Sequence, residues 1–374
     1  MSVAGILFTG LHRGSFTDIM ERTVATLPFL CRYRMIDFAL SNMVNADITN
    51  VNVITKDDYH SLIEHIGSGK DWDLARRSGG LTMLPPYLNT NTVSGLQSSP
   101  RLSELKNVYP SLSFKEDHVV LCDCDTVCSI DLNEIVNDHI AHDADITVAV
   151  KNQFVTPEQS RNTIIFDADE NGRIFDTSIN PSNESGYRNV SINIMVIKTN
   201  YLMAIIDDSI AHGYGSFSRD VIAKRTDRRN FRIYQYDGAI STIADFNDYY
   251  NVSMRMLADR DLRNAVFNVK NRPVYTRVRN SVPTKYHAGC AVHNSLIADG
   301  CTIEGRVENS ILFRGVKIGR GTVVKNSILF QDTLTGENVE LNCVVSDRGV
   351  VIRDGRKLSG HDSLPFYIGK GKMI

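Results

Sequence analysis

Residues 22–43 read RTVATLPFLCRYRMIDFALSNM, and the two halves of this stretch follow different rules. A loop ends in Pro28 and Phe29, a basic turn Arg32-Tyr33-Arg34 follows, and Ile36, Ala39, Leu40 and Met43 then recur at helical spacing. That spacing predicts an amphipathic helix with the stripe against a core, leaving Asp37, Ser41 and Asn42 off the stripe. Two guanidinium groups near a helix start, with a carboxylate and an amide on another face, can hold a polar or phosphorylated ligand. An ordinary amphipathic helix behind a basic loop uses the same spacing.

Working outward, residues 3–8 (VAGILF) read as a buried strand ending at Thr9 and Gly10, ahead of a polar loop. A strand followed by a glycine-containing loop is where an α/β nucleotide-binding domain places its phosphate contacts. NVNVIT at 50–55 reads as the next strand, followed by a helix carrying Leu62, Ile63 and Ile66. His60 and His65 stand five apart and do not share a helix face, so they make no metal pair. Residues 79–114 are rich in Gly, Pro, Ser, Thr and Asn and read as a long surface excursion. HVVLCDCD is a central strand, and Asp131 caps an amphipathic helix carrying Leu132, Ile135, Val136 and Ile140. Strand signals follow at ADITVAV, NTIIF, VSINIMVI and FRIYQY, with helices at NYLMAIIDDSIAH and from about Phe246 to Leu262. Strands alternating with helices predict a doubly wound, mostly parallel sheet.

The pattern then changes. Asn-Ser-Leu-Ile at 294, Asn-Ser-Ile-Leu at 309 and at 326, and Asn-Cys-Val-Val at 342 recur every 15 to 17 residues, with glycine near isolated aliphatic residues between them. Short strands separated by tight turns, each coil stacking on the next, produce such a repeat, so the C-terminal part is expected to be a β-helix.

Composition narrows the function classes. The chain has 374 residues, 42% hydrophobic, enough for two domains. A formal charge of -2 with a pI near 6.6 gives no basic field for nucleic acid, although a local basic cluster can bind small anions. Seven cysteines are an odd number in apolar contexts, and Cys122 and Cys124 (C-x-C) lie in a strand running into an acidic turn, which reads as reduced thiols rather than a metal or disulfide framework. The N-terminus lacks a basic leader and no segment reaches about 18 consecutive apolar residues, so a soluble, cytoplasmic protein without membrane contact is expected.

PFLCRYRMIDFALSN, followed by YHSLIEHI at 59–66, resembles the ADP-glucose pyrophosphorylases (glucose-1-phosphate adenylyltransferases) of bacterial glycogen synthesis, and the β-helix extends the resemblance over nearly the whole chain. The resemblance implies a Rossmann-like, GT-A-like nucleotidyltransferase domain at 1–262, a linker at 263–285, and a left-handed parallel β-helix with hexapeptide-like repeats at 286–374. It also implies where chemistry should sit. Joining a sugar phosphate to ATP calls for backbone amides and a basic residue on the triphosphate, a cation at the reacting phosphates, and carboxylates for magnesium.

This chain departs from the family at each of those places. The Gly-Gly-x-Gly-x-Arg loop is Thr9-Gly10-Leu11-His12-Arg13-Gly14, in which Gly10 survives and Arg13 offers a displaced cation. Arg-Ala-Lys-Pro is Arg22-Thr23-Val24-Ala25, so the polyphosphate lysine is Val24. Asp125 falls on the metal-binding aspartate, with Asp123 two residues away, but the second metal motif, Asp-Val-Gly-Thr, is Ala239-Ile240-Ser241-Thr242. The Glu-Lys-Pro of the sugar-phosphate pocket is Ile179-Asn180-Pro181; Ser191 is kept, while the small glycine after it is Asn193. Arg219 and Asp220 retain the charges of a further segment.

Scaffold residues persisting where catalytic ones have changed imply a non-catalytic, regulatory subunit resembling the D-type subunit of certain Gram-positive bacteria. Such a chain would modulate a catalytic pyrophosphorylase subunit in a heterotetramer. Gly10, Arg13, Arg22, Arg34, Asp125 and Ser191 then mark a vestigial nucleotide and sugar-phosphate pocket. Arg32, Arg353, Arg356 and Lys357 are candidates for a sugar-phosphate effector, no metal or cofactor is expected here, and magnesium belongs to the partner. A divergent but active adenylyltransferase using Asp125, Arg13 and Arg34 is the alternative. A β-helix acyltransferase is a third reading, with only His287, His293 and His361 near the coils to serve it.

Overall fold

Val3–Phe8 (β1) is apolar at every position but Gly5, and its side chains alternate between two core layers: Ala4, Ile6 and Phe8 enter one and Leu7 the other. The computed structural model describes residues 2–10, 20, 22–55, 59–85, 101–161 and 163–374. On the Leu7 face lies Met35–Asn45 (α1), the helix expected from the Ile36-Ala39-Leu40-Met43 stripe. It packs so closely that a Cβ on Gly5 would meet Met43 Sδ at 2.9 Å, which makes glycine a packing requirement in this strand.

Asn50–Ile54 (β2) and Gly80–Leu84 (β3) extend the sheet in parallel on one side of β1, and His118–Asp123 (β4) pairs in parallel on the other. The chain thus leaves β1 in one direction and returns to its opposite side, creating the switch point at which open α/β sheets bind ligands beyond their strand ends. Past β4 the order continues through antiparallel partners, Gly186–Lys198 on β4 and Ile146–Val155 on Gly186–Lys198, so the nine-stranded sheet is mixed and its parallel half carries the switch point. His60–Ile66 (α2) packs with α1 in one core layer, and Arg101–Val108 (α3) lies in the other. Leu132–Ala141 (α4) joins the α1 side, its N-cap Asp131 accepting from the Asn133 N–H at 3.0 Å; Thr199–His212 (α5) joins the α3 side.

Three local readings change. The expected surface excursion at 79–114, of which 86–100 lie outside the described residues, contains β3 and α3, and Leu102, Leu105 and Val108 of α3 are fully buried; loop-like composition around them concealed a short amphipathic helix. A strand at Ile174–Ile179 had no periodic signal, its exposed residues facing no core. The single helix expected from Phe246 to Leu262 is two, Phe246–Ala258 (α6) and Arg260–Phe267 (α7), because Asp259 Oδ1 accepts from the N–H groups of Asp261 and Leu262 at 2.9 Å each and starts a new helix.

The C-terminal part is a left-handed parallel β-helix, built as three five-stranded parallel sheets from Lys285 to Ile368. The Asn-Ser repeat is its corner. Asn294, Asn309 and Asn326 take φ of 42°, 45° and 46°, the left-handed conformation that asparagine tolerates. Each following serine bridges coils: Ser295 Oγ accepts from Ser310 N–H, Ser310 Oγ from Ser327 N–H and Ser327 Oγ from Val344 N–H, all at 3.1 Å. The fourth repeat is shifted by one residue from the sequence reading. Ile328 pairs with Val345, so the corner residue is Cys343 (φ 52°), and Asn342 closes the preceding strand.

The two parts share a core. Phe246, Tyr249 and Tyr250 on α6 pack with Phe313, Ile328, Phe330 and Val345 of the coils. Tyr249 and Phe330 rings meet edge-on at 6.1 Å, and the Tyr250 hydroxyl donates to Asn326 O at 2.7 Å. Each such large side chain, fully buried, contributes about 1.5–3 kcal/mol, which holds the β-helix firmly on the sheet domain. Among the described residues no helix is long and apolar enough to cross a membrane.

Candidate functional site

At the switch point the strand ends carry Phe8 opposite Asp123, and Asp125 stands just beyond. Asp125 is buried, and its two oxygens accept from Thr126 Oγ1 (3.0 Å) and from Asn193 Nδ2 (2.9 Å). Asn193 reaches it because its backbone is left-handed (φ 62°) and its N–H is held by Ser191 Oγ at 3.2 Å. Ser191 therefore positions Asn193, which grips Asp125. Asp123 is engaged at two points by the buried Arg101 at the start of α3, Nε to Oδ1 at 2.8 Å and Nη2 to Oδ2 at 2.5 Å. Nothing in the local sequence marked Arg101, which lies in the stretch that reads as loop.

The segment aligned with the missing second carboxylate does lie beside Asp125: Thr242 pairs with Thr126, and Ile243 N–H donates to Asp125 O at 2.9 Å. At the carboxylate position itself it carries Ala239, and the hydroxyl of Ser241, two residues on, accepts from Arg255 Nη2 at 2.7 Å. A magnesium ion needs oxygen ligands free of other cations. This donor set, with an arginine already on Asp123 and amide and hydroxyl donors on Asp125, does not fit one. Burial pushes the thiols of Cys122 and Cys124 well up, so both stay protonated and the C-x-C pair offers no thiolate. Val24, at the lysine position, is buried in the interdomain core, among apolar side chains where burying an ammonium is costly. Asp220 closes its own turn, accepting from Gly215 and Ser216 N–H at 3.0 Å. Gly10 is buried at the end of β1, and Arg13 lies outside the described residues.

The polar face expected on α1 is not a ligand face. Asp37, Ser41 and Asn42 are buried: Asp37 accepts from the Arg34 N–H at 2.9 Å and sits 2.6 Å from His65 Nε2, Asn42 donates to Cys128 O at 3.2 Å, and Ser41 Oγ accepts from Tyr275 N–H at 2.9 Å. His65 of α2, Cys128 and Tyr275 of the chain that links the two domains together occupy this face.

Arg22 and Arg34 are not with Asp125 and Ser191. The structure groups them with Arg32 in a cleft of about 650 Å³ between the sheet domain and the β-helix. The coils supply Arg314, Arg348, Lys370 and Lys372 to the same cleft. Arg22 pairs with Asp347, which also accepts from the Tyr367 hydroxyl at 2.6 Å, so it is a staple between the domains. Arg34 Nη1 donates to Ser61 O and Oγ at 2.7 and 2.9 Å. Burial, with Arg22 and Arg279 nearby, pushes Arg34 down to about 10, and Arg314 is lowered by burial and by Arg279, Arg32 and Arg277. Both remain cations at neutral pH, crowded by like charges in a way that an anion would relieve. Arg353, Arg356 and Lys357 do not reach this cleft: all three are exposed, and Lys357 pairs with Glu340 at 2.8 Å.

The profile of the nucleotidyl transferase family matches residues 20–248, and that of the GlmU-like C-terminal hexapeptide family matches 280–363. The glycogen biosynthesis protein GlgD of Bacillus subtilis is 31% identical over 98% of this chain and 95% of its own, and that of Geobacillus stearothermophilus is 35% identical over 82% and 78%. A glucose-1-phosphate adenylyltransferase of Thermotoga maritima is 31% identical over 87% of this chain and 76% of its own. The strand-end crevice, the β-helix and these relatives agree, and the chain belongs to the ADP-glucose pyrophosphorylase family, among its D-type members.

Proposed function

We propose that this protein is a regulatory subunit without its own catalysis. It would act on a catalytic partner that makes ADP-glucose and pyrophosphate from ATP and glucose 1-phosphate for glycogen synthesis. The observation that carries the reading is the strand-end crevice: Asp125 is gripped by Asn193 and Thr126, the second carboxylate position is Ala239, and the lysine position is the buried Val24. A reacting triphosphate would find neither a metal ligand set nor a lysine there. The partner supplies magnesium and the chemistry, in a hetero-oligomer that we take to be a tetramer.

The interdomain cleft is the effector site of this reading. Three cations from the sheet domain and four from the coils face a volume suited to a small phosphorylated sugar. A ligand bridging both walls favours one arrangement of the domains, which is the differential contact that regulation requires.

The retained Asp125 favours one competing reading, a divergent active adenylyltransferase. Titrating this chain into a fixed amount of the catalytic subunit, with a panel of sugar phosphates, separates the two. The regulatory reading predicts a change in the partner's rate or effector response that saturates at a fixed ratio of subunits. A rate that only adds this chain's own activity to the partner's, without saturation, overturns it.

A further inference from the structure

The β-helix wall of the interdomain cleft carries a carboxylate among its cations. Asp347 is buried on the coils, where the Tyr367 hydroxyl donates to Oδ2 at 2.6 Å and the Arg348 N–H donates to Oδ1 at 2.6 Å. From that position Oδ1 reaches across to Nη2 of Arg22 on the sheet domain, and all four residues line the cleft. We propose that Asp347 is a built-in competitor for the anion site: it occupies Arg22 in the ligand-free protein and yields it to an incoming phosphate group, so that ligand binding and release of the interdomain staple are one event. The inference deepens the effector-site reading and rests on it.

The contact has the chemistry of an exchangeable one. Arg22 meets Asp347 through one nitrogen and one oxygen, and that oxygen is shared with the Arg348 N–H, whereas a guanidinium is a planar fork of donors that a phosphate group fills at two points. Arg22 keeps 16% of its side chain exposed, with Cζ 5.7 Å from the centre of the Phe330 ring, so a solute in the cleft can reach it. Arg34 is close enough to feel the Arg22 charge, and Arg314 and Arg348 line the same space, a field that favours a phosphate of higher charge over a single carboxylate. After exchange neither charge is stranded: Arg22 pairs with the phosphate, and Asp347 retains its donors on the coils. Because Arg22 and Asp347 belong to different domains, a ligand that takes Arg22 also removes a bond between the domains, which gives the joined and released arrangements different affinities.

The test is a double-mutant cycle read by isothermal titration calorimetry of inorganic phosphate into the full chain at fixed pH and ionic strength. Asp347→Asn keeps the shape of the side chain and removes its charge, and it should raise phosphate affinity roughly fivefold or more over wild type. The rise should need Arg22: Arg22→Gln and Arg22→Gln combined with Asp347→Asn should bind phosphate equally. A folded Asp347→Asn chain that binds phosphate no more tightly than wild type overturns the inference and makes the pair purely structural. An equal rise in both backgrounds overturns it as well, because the effect is then only the loss of a negative charge from the cleft. Should circular dichroism show Asp347→Asn unfolded, added phosphate is expected to take the place of the carboxylate and restore the folded spectrum; a variant that stays unfolded at every phosphate concentration overturns the inference. Folded chains of which none binds phosphate defeat the effector-site reading and the inference together, whereas binding to wild type without the Asp347 effect defeats the inference alone.

Discussion

Replacing Arg314 by Met should move ligand affinity and stability in opposite directions. Arg314 stands on the β-helix wall of the cleft, half-buried, facing Arg32, Arg277 and Arg279, with Asp299 as its counter-charge. A charge-assisted hydrogen bond to a phosphate is worth about 1.5–3 kcal/mol, so its loss should weaken binding roughly 10- to 150-fold. In the ligand-free protein the same cation is repelled. Two like charges ~8 Å apart at an effective dielectric near 20 repel by about 2 kcal/mol, and solvent screening with the lost Asp299 attraction leaves a net gain of about 0–1 kcal/mol on substitution. The single tryptophan provides the assay: Trp72 is buried and sits edge-on to His65, which contacts Asp37 beneath the Arg34 turn, so its fluorescence should report a ligand at that turn. Binding is followed with inorganic phosphate and a sugar bisphosphate as probes, and stability by urea unfolding. A folded variant with unchanged affinity and more than about 1 kcal/mol of lost stability would show that Arg314 is a structural ion pair and refute the reasoning.

Three further outcomes are expected. Phe330→Ala removes a fully buried ring packed on Tyr249 and Phe313 and should cost about 3–5 kcal/mol in denaturant unfolding; a loss under about 1 kcal/mol would mean that the β-helix does not share its core with the sheet domain. Ser327→Ala strands the buried Val344 N–H at a coil corner and should cost about 1–3 kcal/mol, while Ser295→Ala, at an exposed corner, should cost less. His139, pushed down to about 3 by burial and then by His118 and Lys198, stays neutral in the fold, whereas the unfolded chain protonates near 6.5. The unfolded state therefore binds more protons below that pH, and stability should fall as pH drops from about 6.5 towards 3, by up to about 1.4 kcal/mol per unit. His139→Gln should flatten that slope in urea titrations at several pH values, and an unchanged slope would assign it elsewhere.

What was legible in the sequence is what short-range rules control. The Asn-Ser corners announce themselves because a left-handed residue and a bridging hydroxyl recur once per coil, and even there the fourth corner moved from Asn342 to Cys343 because cysteine took the positive φ. β1, α1 and the Asp131 cap follow from periodicity and capping chemistry alone. Resemblance located Asp125 and the altered segment at 239–242, and the fold does bring them side by side. It misplaced Arg22 and Arg34, since their partners Asp347 and Ser61 are known only once the β-helix is docked and α2 is packed. Asp37, Ser41 and Asn42 look like a solvent face by spacing but are covered by the interdomain chain and α2. Arg101 was illegible for a similar reason: its neighbours read as loop, and its partner Asp123 is 22 positions away on another element.

Whether this chain does chemistry of its own is decided by pyrophosphate release from the purified chain with ATP, glucose 1-phosphate and magnesium. A non-catalytic chain gives no release above a blank when alone, with Asp125→Asn indistinguishable from wild type, and a changed rate or effector response once the catalytic subunit is added. Substantial release from the chain alone, abolished by Asp125→Asn, would contradict the non-catalytic reading and return the strand-end crevice to the status of an active site.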